Sequence, residues 1–269
     1  MTASATDAIH RVMHEIKRRR LQVLQVVDLT PRMRRITVGG PELEGFLSQG
    51  SDDHIKLLFA TNAQEQAALE GMRLGGPAPE GAKPAMRDYT PRRIDREAGE
   101  LDIDFVLHGD GPASTWAEQA APGQDLWVAG PRSSMIVPDV FDSYLLIGDE
   151  TAIPAIARRL EELPAGRQVQ VVIEIEDAQE QQPLQSAAHV QVIWVPRHEK
   201  SLLDVVSSLS RLEGELYAWI ATEAALSRKL RRVLLDGMGL QESQVKAAGY
   251  WRLDENDEAV GAGLARDER

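Results

Sequence analysis

The 269-residue chain contains no cysteine. Disulfides, thiolate nucleophiles, cysteine-ligated zinc and protein-bound iron–sulfur clusters are therefore excluded. Any redox chemistry must use a cofactor held without sulfur. Long apolar runs are missing too: none approaches the roughly 20 residues of a membrane span, and the N-terminus lacks an apolar signal core. The expected location is the cytoplasm. Basic charge is scarce, with 30 Lys and Arg against 42 Asp and Glu and a net charge of -12. That balance argues against nucleic-acid binding and requires a local basic patch for any anionic substrate. The 6 histidines fall at no ligand spacing, so no metal site is expected. Neither an internal repeat nor an interface pattern is visible, and the expected state is a monomer.

What the chain does have is 43% hydrophobic residues, enough for a sizeable core in one large domain or two ordinary ones. The first stretch, "HRVMHEIKRRR", places Ile9, Val12, Met13 and Ile16 at helical spacing, which predicts a short amphipathic helix or arm over residues 1–19. Six strand-like runs follow within residues 20–140: "LQVLQVVDL", "MRRITVGG", "HIKLLFA", "RDYTPRRID", "ELDIDFVLH" and "QDLWVAG". A Gly/Pro-punctuated loop, residues 74–85, separates the third from the fourth, and "ASTWAEQAA" reads as a brief helical insert. This pattern predicts a closed antiparallel barrel. Over residues 141–253 the rhythm changes to near-continuous Val/Ile runs alternating with helical stretches, the signature of a parallel sheet covered on both faces. Residues 254–269 read as a loose polar tail.

Two stretches carry chemistry. In "RDYTPRRID" the residues Arg87 and Tyr89 fall on one side of a strand, and a kink at Thr90-Pro91 brings the Thr hydroxyl to the same side. A guanidinium suits a pyrophosphate, a phenol ring lies flat on a planar heterocycle, and a hydroxyl bonds a ring nitrogen. The competing reading is an edge strand with a solvated Arg/Asp face. In "HGDGPASTWAEQ", Gly109, Gly111 and Pro112 form a tight turn before a helix capped by serine, a second anion site made of backbone N–H groups. A plain turn and cap is the alternative.

Taken in order with "DDHIKLLF", "VAGPRSS", "LLIGDETAIPAI" and the late "AAGYWR", these stretches resemble the siderophore-interacting proteins, FAD-dependent ferric-siderophore reductases of the ferredoxin–NADP reductase superfamily. The resemblance spans nearly all of residues 20–252. It implies a β-barrel plus α/β architecture: a six-stranded Greek-key barrel for FAD, then an open parallel-sheet domain for NADPH or NADH. By the same resemblance Arg87 would contact the FAD pyrophosphate, Tyr89 would stack on the isoalloxazine and Thr90 would sit near its N5. His108, Gly111, Ala113 and Ser114 would line the diphosphate or adenine. Gly148, Asp149, Glu150 and Thr151 would face the nicotinamide.

The donor's ribose is ambiguous. Glu176 and Asp177 would favour the diol of NADH, whereas Arg197, His198 and Lys200 would hold the 2′-phosphate of NADPH, towards which the reading leans. A ferric siderophore would dock as an already chelated ion. Arg252 is the best match to the family's basic residues, with Trp251 beside it and Lys56, Arg92 and Arg93 as weaker candidates. Thr222 stands where the family usually has glycine, and the acidic "LDENDE" follows "YWR". A reductase serving a flavodoxin or ferredoxin, and a non-catalytic siderophore-binding protein, are the alternatives.

Overall fold

The computed structural model describes residues 5–72, 83–109 and 111–253. Most of the loop expected over 74–85, and the whole tail from 254, lie outside the described residues. Contacts divide the chain into two units, residues 11–134 in one and residues 5–10 with 135–253 in the other.

The first elements are β1 (His10–Met13), β2 (Arg18–Thr30), β3 (Met33–Gly39), β4 (Ile55–Phe59), α1 (Ala63–Gly71), β5 (Ala85–Tyr89), β6 (Pro91–Asp95), β7 (Glu100–Val106), α2 (Pro112–Gln119), β8 (Asp125–Ala129) and β9 (Ser133–Ile136). Seven of these strands make one curled antiparallel sheet in the order β5-β4-β8-β2-β3-β7-β6. The seventh strand arises because the stretch 85–95 is divided at Thr90. The two edge strands are thus consecutive in the chain, and the sheet's seam lies at Thr90. Register shifts in β2, between Val23 and Gln25 and between Asp28 and Thr30, add the local twist that a sheet needs in order to curl. Inside, Leu21, Val23, Ile36, Leu57, Ile103, Phe105, Leu126 and Val128 are buried. Each such side chain contributes roughly 1.5–3 kcal/mol by leaving water.

Residues 10–13 form a strand rather than the expected helix. Met13 is 59% exposed, so the apolar spacing of this stretch marks no buried face. β1 pairs with β9 in a separate two-stranded sheet. The His14 N–H donates to the Arg132 carbonyl at 2.9 Å, and the His14 ring meets Ser134 Oγ at 2.7 Å. An available strand edge satisfies these backbone groups at once, whereas a helix this short carries its full nucleation cost. Helix α1 was not expected. Its signal is Asn62, whose side chain caps the Glu65 N–H, ahead of a run of good helix formers.

The second unit contains β10 (Ser143–Gly148), α3 (Ile153–Glu162), β11 (Gln168–Ile175), β12 (His189–Pro196), α4 (Leu202–Ser207), β13 (Leu216–Glu223), α5 (Ala224–Arg232) and β14 (Val245–Trp251). All five strands are parallel, in the order β12-β11-β10-β13-β14. Val169, Val171, Val172 and Ile173 are all buried, which explains why β11 reads as a near-continuous apolar run. Strand order reverses at β10, so the crevice beside its carboxyl end is where such sheets take ligands. Gly148 closes β10 there. A Cβ at this position would meet Ile156 Cδ1 at 3.2 Å and the Ala221 carbonyl at 3.3 Å, besides clashing with Ala152. Among the described residues no helix is long and apolar enough to cross a membrane.

Candidate functional site

In the curled sheet, Arg87, Tyr89 and Thr90 sit at or beside the seam. Pairing with β4 sets Arg87 opposite Leu57 and Tyr89 opposite Ile55, so both face the side that carries the core. Arg87 is half-buried, its Nη1 donating to the Met86 carbonyl at 2.9 Å. It has no ion pair among the described residues. Arg92 and Arg93, close behind it, are held by carboxylates of β7. Arg92 Nε lies 4.0 Å from Asp104 Oδ2, and Arg93 Nε donates to Asp102 Oδ2 at 2.8 Å. Tyr89 is only 7% exposed, with its ring 4.5 Å from that of Phe105. The flat surface expected for stacking is therefore largely built into the core, and burial pushes the phenol pKa up. Thr90 is buried, and its hydroxyl has no hydrogen-bond partner among the described residues.

The start of α2 is tied to the same region. Phe105 also touches Trp116, at 5.7 Å between ring centres. The N-cap is Gly111, with φ 99° and no side-chain cap bond, and Pro112 follows it. The first helical bond runs from Thr115 N–H to the Gly111 carbonyl, leaving Ala113 and Ser114 N–H without helical partners. Ser114 does not cap the helix as expected. Its Oγ turns back to accept the His108 N–H at 3.1 Å and donates to Glu118 at 3.4 Å. His108 is thereby fixed over the turn. A guanidinium without an ion pair among the described residues, a hydroxyl without a partner among them and glycine-opened helix-start N–H groups fit the pyrophosphate and ring edge of a flavin dinucleotide.

In the α/β unit the turn after β10 is dense with carboxylates. Asp149 is 2% exposed. Its Oδ1 accepts from Thr151 N–H at 2.9 Å and Thr151 Oγ at 2.6 Å, and its Oδ2 accepts from the Trp251 indole N–H at 2.7 Å. Glu150 is 7% exposed, and Arg197 Nη2 donates to it at 2.7 Å. The same guanidinium donates through Nη1 to Glu176 at 2.7 Å and through Nε to Glu174 at 3.3 Å. Burial raises the pKa of Asp149, Glu150 and Glu174, while Arg197 pulls each back down. The carboxylates in turn raise the pKa of Arg197 against its own burial.

The remaining candidates are spread more widely. Lys56 pairs with Asp88 at 3.3 Å. Arg252 is exposed at the end of β14 and Trp251 is half-buried. Tyr250 belongs to the core, with its ring edge-on to Trp219 at 6.0 Å. Thr222 is wholly buried and its Oγ donates to the Glu223 carbonyl at 3.1 Å, so the methyl-bearing side chain is absorbed by the strand end.

Residues 22–135 match the siderophore-interacting FAD-binding domain, and residues 141–254 match the siderophore-interacting protein family. The chain belongs to the siderophore-interacting protein family. This siderophore-interacting protein is 34% identical over 244 residues to the NADPH-dependent ferric-chelate reductase of Escherichia coli, covering 90% of this chain and 95% of that one. It is 29% identical over 241 residues to the ferric vibriobactin reductase ViuB of Vibrio cholerae, covering 86% and 88% of the two chains. Among solved structures, a siderophore utilization protein from T. fusca superposes with a TM-score of 0.82 at 32% identity, over 94% of this chain and 99% of that one.

For a siderophore-interacting protein read from sequence, the least visible feature is the Arg197 fork. Its partners lie 47, 23 and 21 positions away, and Glu174 carried no signal at all inside an apolar strand. Only the parallel sheet brings them together. The fork also changes the donor question, since Arg197 was expected to read a 2′-phosphate and all three of its nitrogens are already committed to glutamates. His198 shares Glu176 at 3.4 Å, which leaves the exposed Lys200 as that loop's cation without an ion pair among the described residues.

Proposed function

We propose that this chain is an FAD-dependent reductase that takes electrons from NADPH, and less readily NADH, and delivers them to ferric siderophores, releasing Fe(II). The observation that carries this is the joint presence, in one chain without cysteine, of a flavin-fitted seam and a ligand-ready strand turn at a sheet's switch point. The names of the Escherichia coli and Vibrio cholerae relatives support the acceptor class.

In this reading Arg87 binds the pyrophosphate, the Ala113 and Ser114 N–H groups receive its oxygens, and His108 shapes the turn beside them. Tyr89 forms the wall behind the ring system, and Thr90 offers its hydroxyl to the ring edge. When bound, FAD supplies the conversion from a two-electron hydride donor to the single electrons that Fe(III) accepts. Gly148 through Thr151 receive the nicotinamide. The candidates for the ferric chelate are Arg252 with Trp251 at the end of β14 and, on the curled sheet, Lys56. Arg92 and Arg93 contribute least, because β7 already holds them. In this reading the chelator, not the protein, supplies the ligands of the iron. Hard oxygen ligands hold Fe(II) less tightly than Fe(III), so reduction itself frees the metal. The proposed setting is a cytoplasmic monomer.

The test is anaerobic. FAD-loaded protein is reduced with NADPH and then mixed with a ferric siderophore, with a ferrous chelator present. Return of the oxidised flavin band with capture of Fe(II) is the expected result. Reduction without reoxidation would redirect the reading to a protein acceptor such as a flavodoxin. Failure of both NADPH and NADH to reduce the flavin would overturn it.

A further inference from the structure

We propose that Arg197 is a positioning residue of the hydride-donor site, holding Glu150 as a charged carboxylate in the turn after β10. The inference rests on the reading of Gly148 through Thr151 as the nicotinamide-facing turn.

The argument starts from topology. β11 lies between β10 and β12, so the turn after β10, the end of β11 and the residue after β12 converge on one end of the sheet. Glu150, Glu174, Glu176 and Arg197 come from those positions in turn. The Arg197 N–H donates to the Ile175 carbonyl at 2.8 Å, which anchors its backbone, while the fork spreads over three carboxylates. One positive charge thus faces three negative ones, with Asp149 and the exposed His198 close by. Stability alone does not call for this arrangement. Glu150 is buried and Glu174, Glu176 and Arg197 are half-buried, and charges so far withdrawn from water, with carboxylates in excess, gain little over apolar side chains of similar volume.

The chemistry of the donor supplies a reason. When the donor's dihydropyridine ring gives up hydride to the flavin, an electron pair leaves with the hydrogen and the ring becomes a pyridinium cation. A fixed, ionised carboxylate favours that change in charge; a protonated one does not. Glu150 is buried next to Glu174 and Asp149, an environment that favours the neutral acid. Arg197 opposes that tendency, and its planar fork fixes which oxygen of Glu150 is engaged. Lysine, a point charge, cannot span three carboxylates in this way.

The test uses R197M and R197K, with two readouts. First, single-turnover reduction of the FAD-loaded protein by NADPH is followed from pH 6 to pH 8.5. Wild type should be nearly flat. R197M should be slowed about tenfold at pH 6 and within about threefold of wild type at pH 8.5, with little change in NADPH KM, and R197K should fall between them. In E150Q/R197M the pH dependence should vanish, and in E174Q/R197M it should persist. Second, the thermal midpoint of the flavin-free protein is measured over the same range. The gap between wild type and R197M should narrow as pH falls, because protonation relieves the unpaired carboxylates. A variant that merely lost packing would show a constant gap. An R197M rate profile parallel to wild type, or a pH dependence that survives E150Q, would overturn the proposal. Failure of wild type itself to be reduced by NADPH would instead overturn the reading on which it rests.

Discussion

The two units distribute their charge differently. On the curled sheet Asp104 takes Arg35 at 2.7 Å and Arg92 at 4.0 Å, Arg20 pairs with Asp125 at 2.6 Å and Lys56 with Asp88 at 3.3 Å, and the half-exposed Arg93 is shared by Asp102 at 2.8 Å, Asp95 at 3.5 Å and Glu100 at 3.8 Å. At the carboxyl end of the parallel sheet one arginine serves three glutamates, and Asp149 has only neutral donors. The first arrangement fixes which residues lie opposite each other as the sheet curls. The second keeps two adjacent carboxylates, Asp149 and Glu150, in a buried turn with half-buried Glu174 and Glu176 beside them. Where a fold concentrates charge that it does not neutralise, stability is a poor explanation and ligand chemistry a better one.

The comparison is tested most severely in the barrel core. Phe105 touches both Tyr89 and Trp116, so Phe105→Ala should cost about 3–5 kcal/mol in urea unfolding and weaken FAD binding as well. A loss of stability with FAD affinity intact would separate the flavin site from the core. Arg87→Glu comes next, with FAD affinity falling about 100-fold in a fluorescence titration and little change in the unfolding midpoint. Unchanged affinity would remove Arg87 from the site.

A smaller effect separates the units by sign. Burial raises the carboxyl pKa values of Asp149 and Glu150, so the folded protein holds those protons more tightly than the unfolded chain. Their contribution is full below the ordinary carboxylate range and is lost as pH rises through the raised folded values. Wild type should therefore lose stability relative to Asp149→Asn between pH 4.5 and pH 8 in parallel urea melts. A difference that does not vary with pH would contradict the buried, ionisable role. The smallest effect belongs to the half-exposed Arg93, shared by Asp95, Glu100 and Asp102. Arg93→Ala should change stability by less than about 1 kcal/mol and leave the KM for a ferric siderophore unchanged. A raised KM would return Arg93 to the substrate site.

Much of this was legible in the chain. The period-2 runs of the first half and the near-continuous Val/Ile runs of the second specified both sheets, because side-chain burial on one face or two leaves a direct trace in composition. The seam residues Arg87, Tyr89 and Thr90 stood out because their polarity breaks that pattern. The strand at residues 10–13 did not stand out, since its apolar spacing fits a helix equally well and only the partner β9 decides between them. The depth of Tyr89 was hidden for a related reason, because burial depends on the opposing Ile55 and Phe105. The Arg197 fork was hidden most completely, since its logic exists only after three parallel strands have been laid side by side.

The bond from Trp251 to Asp149 joins residues 102 positions apart. At synthesis rates of about 5–20 residues per second Asp149 is made roughly 5 to 20 s before its partner. During that interval Asp149 Oδ2 lacks the indole N–H that it accepts in the finished fold. The order of synthesis therefore makes the last strand the finishing piece of the first turn, whose hydrogen bonds are complete only when β14 is laid down.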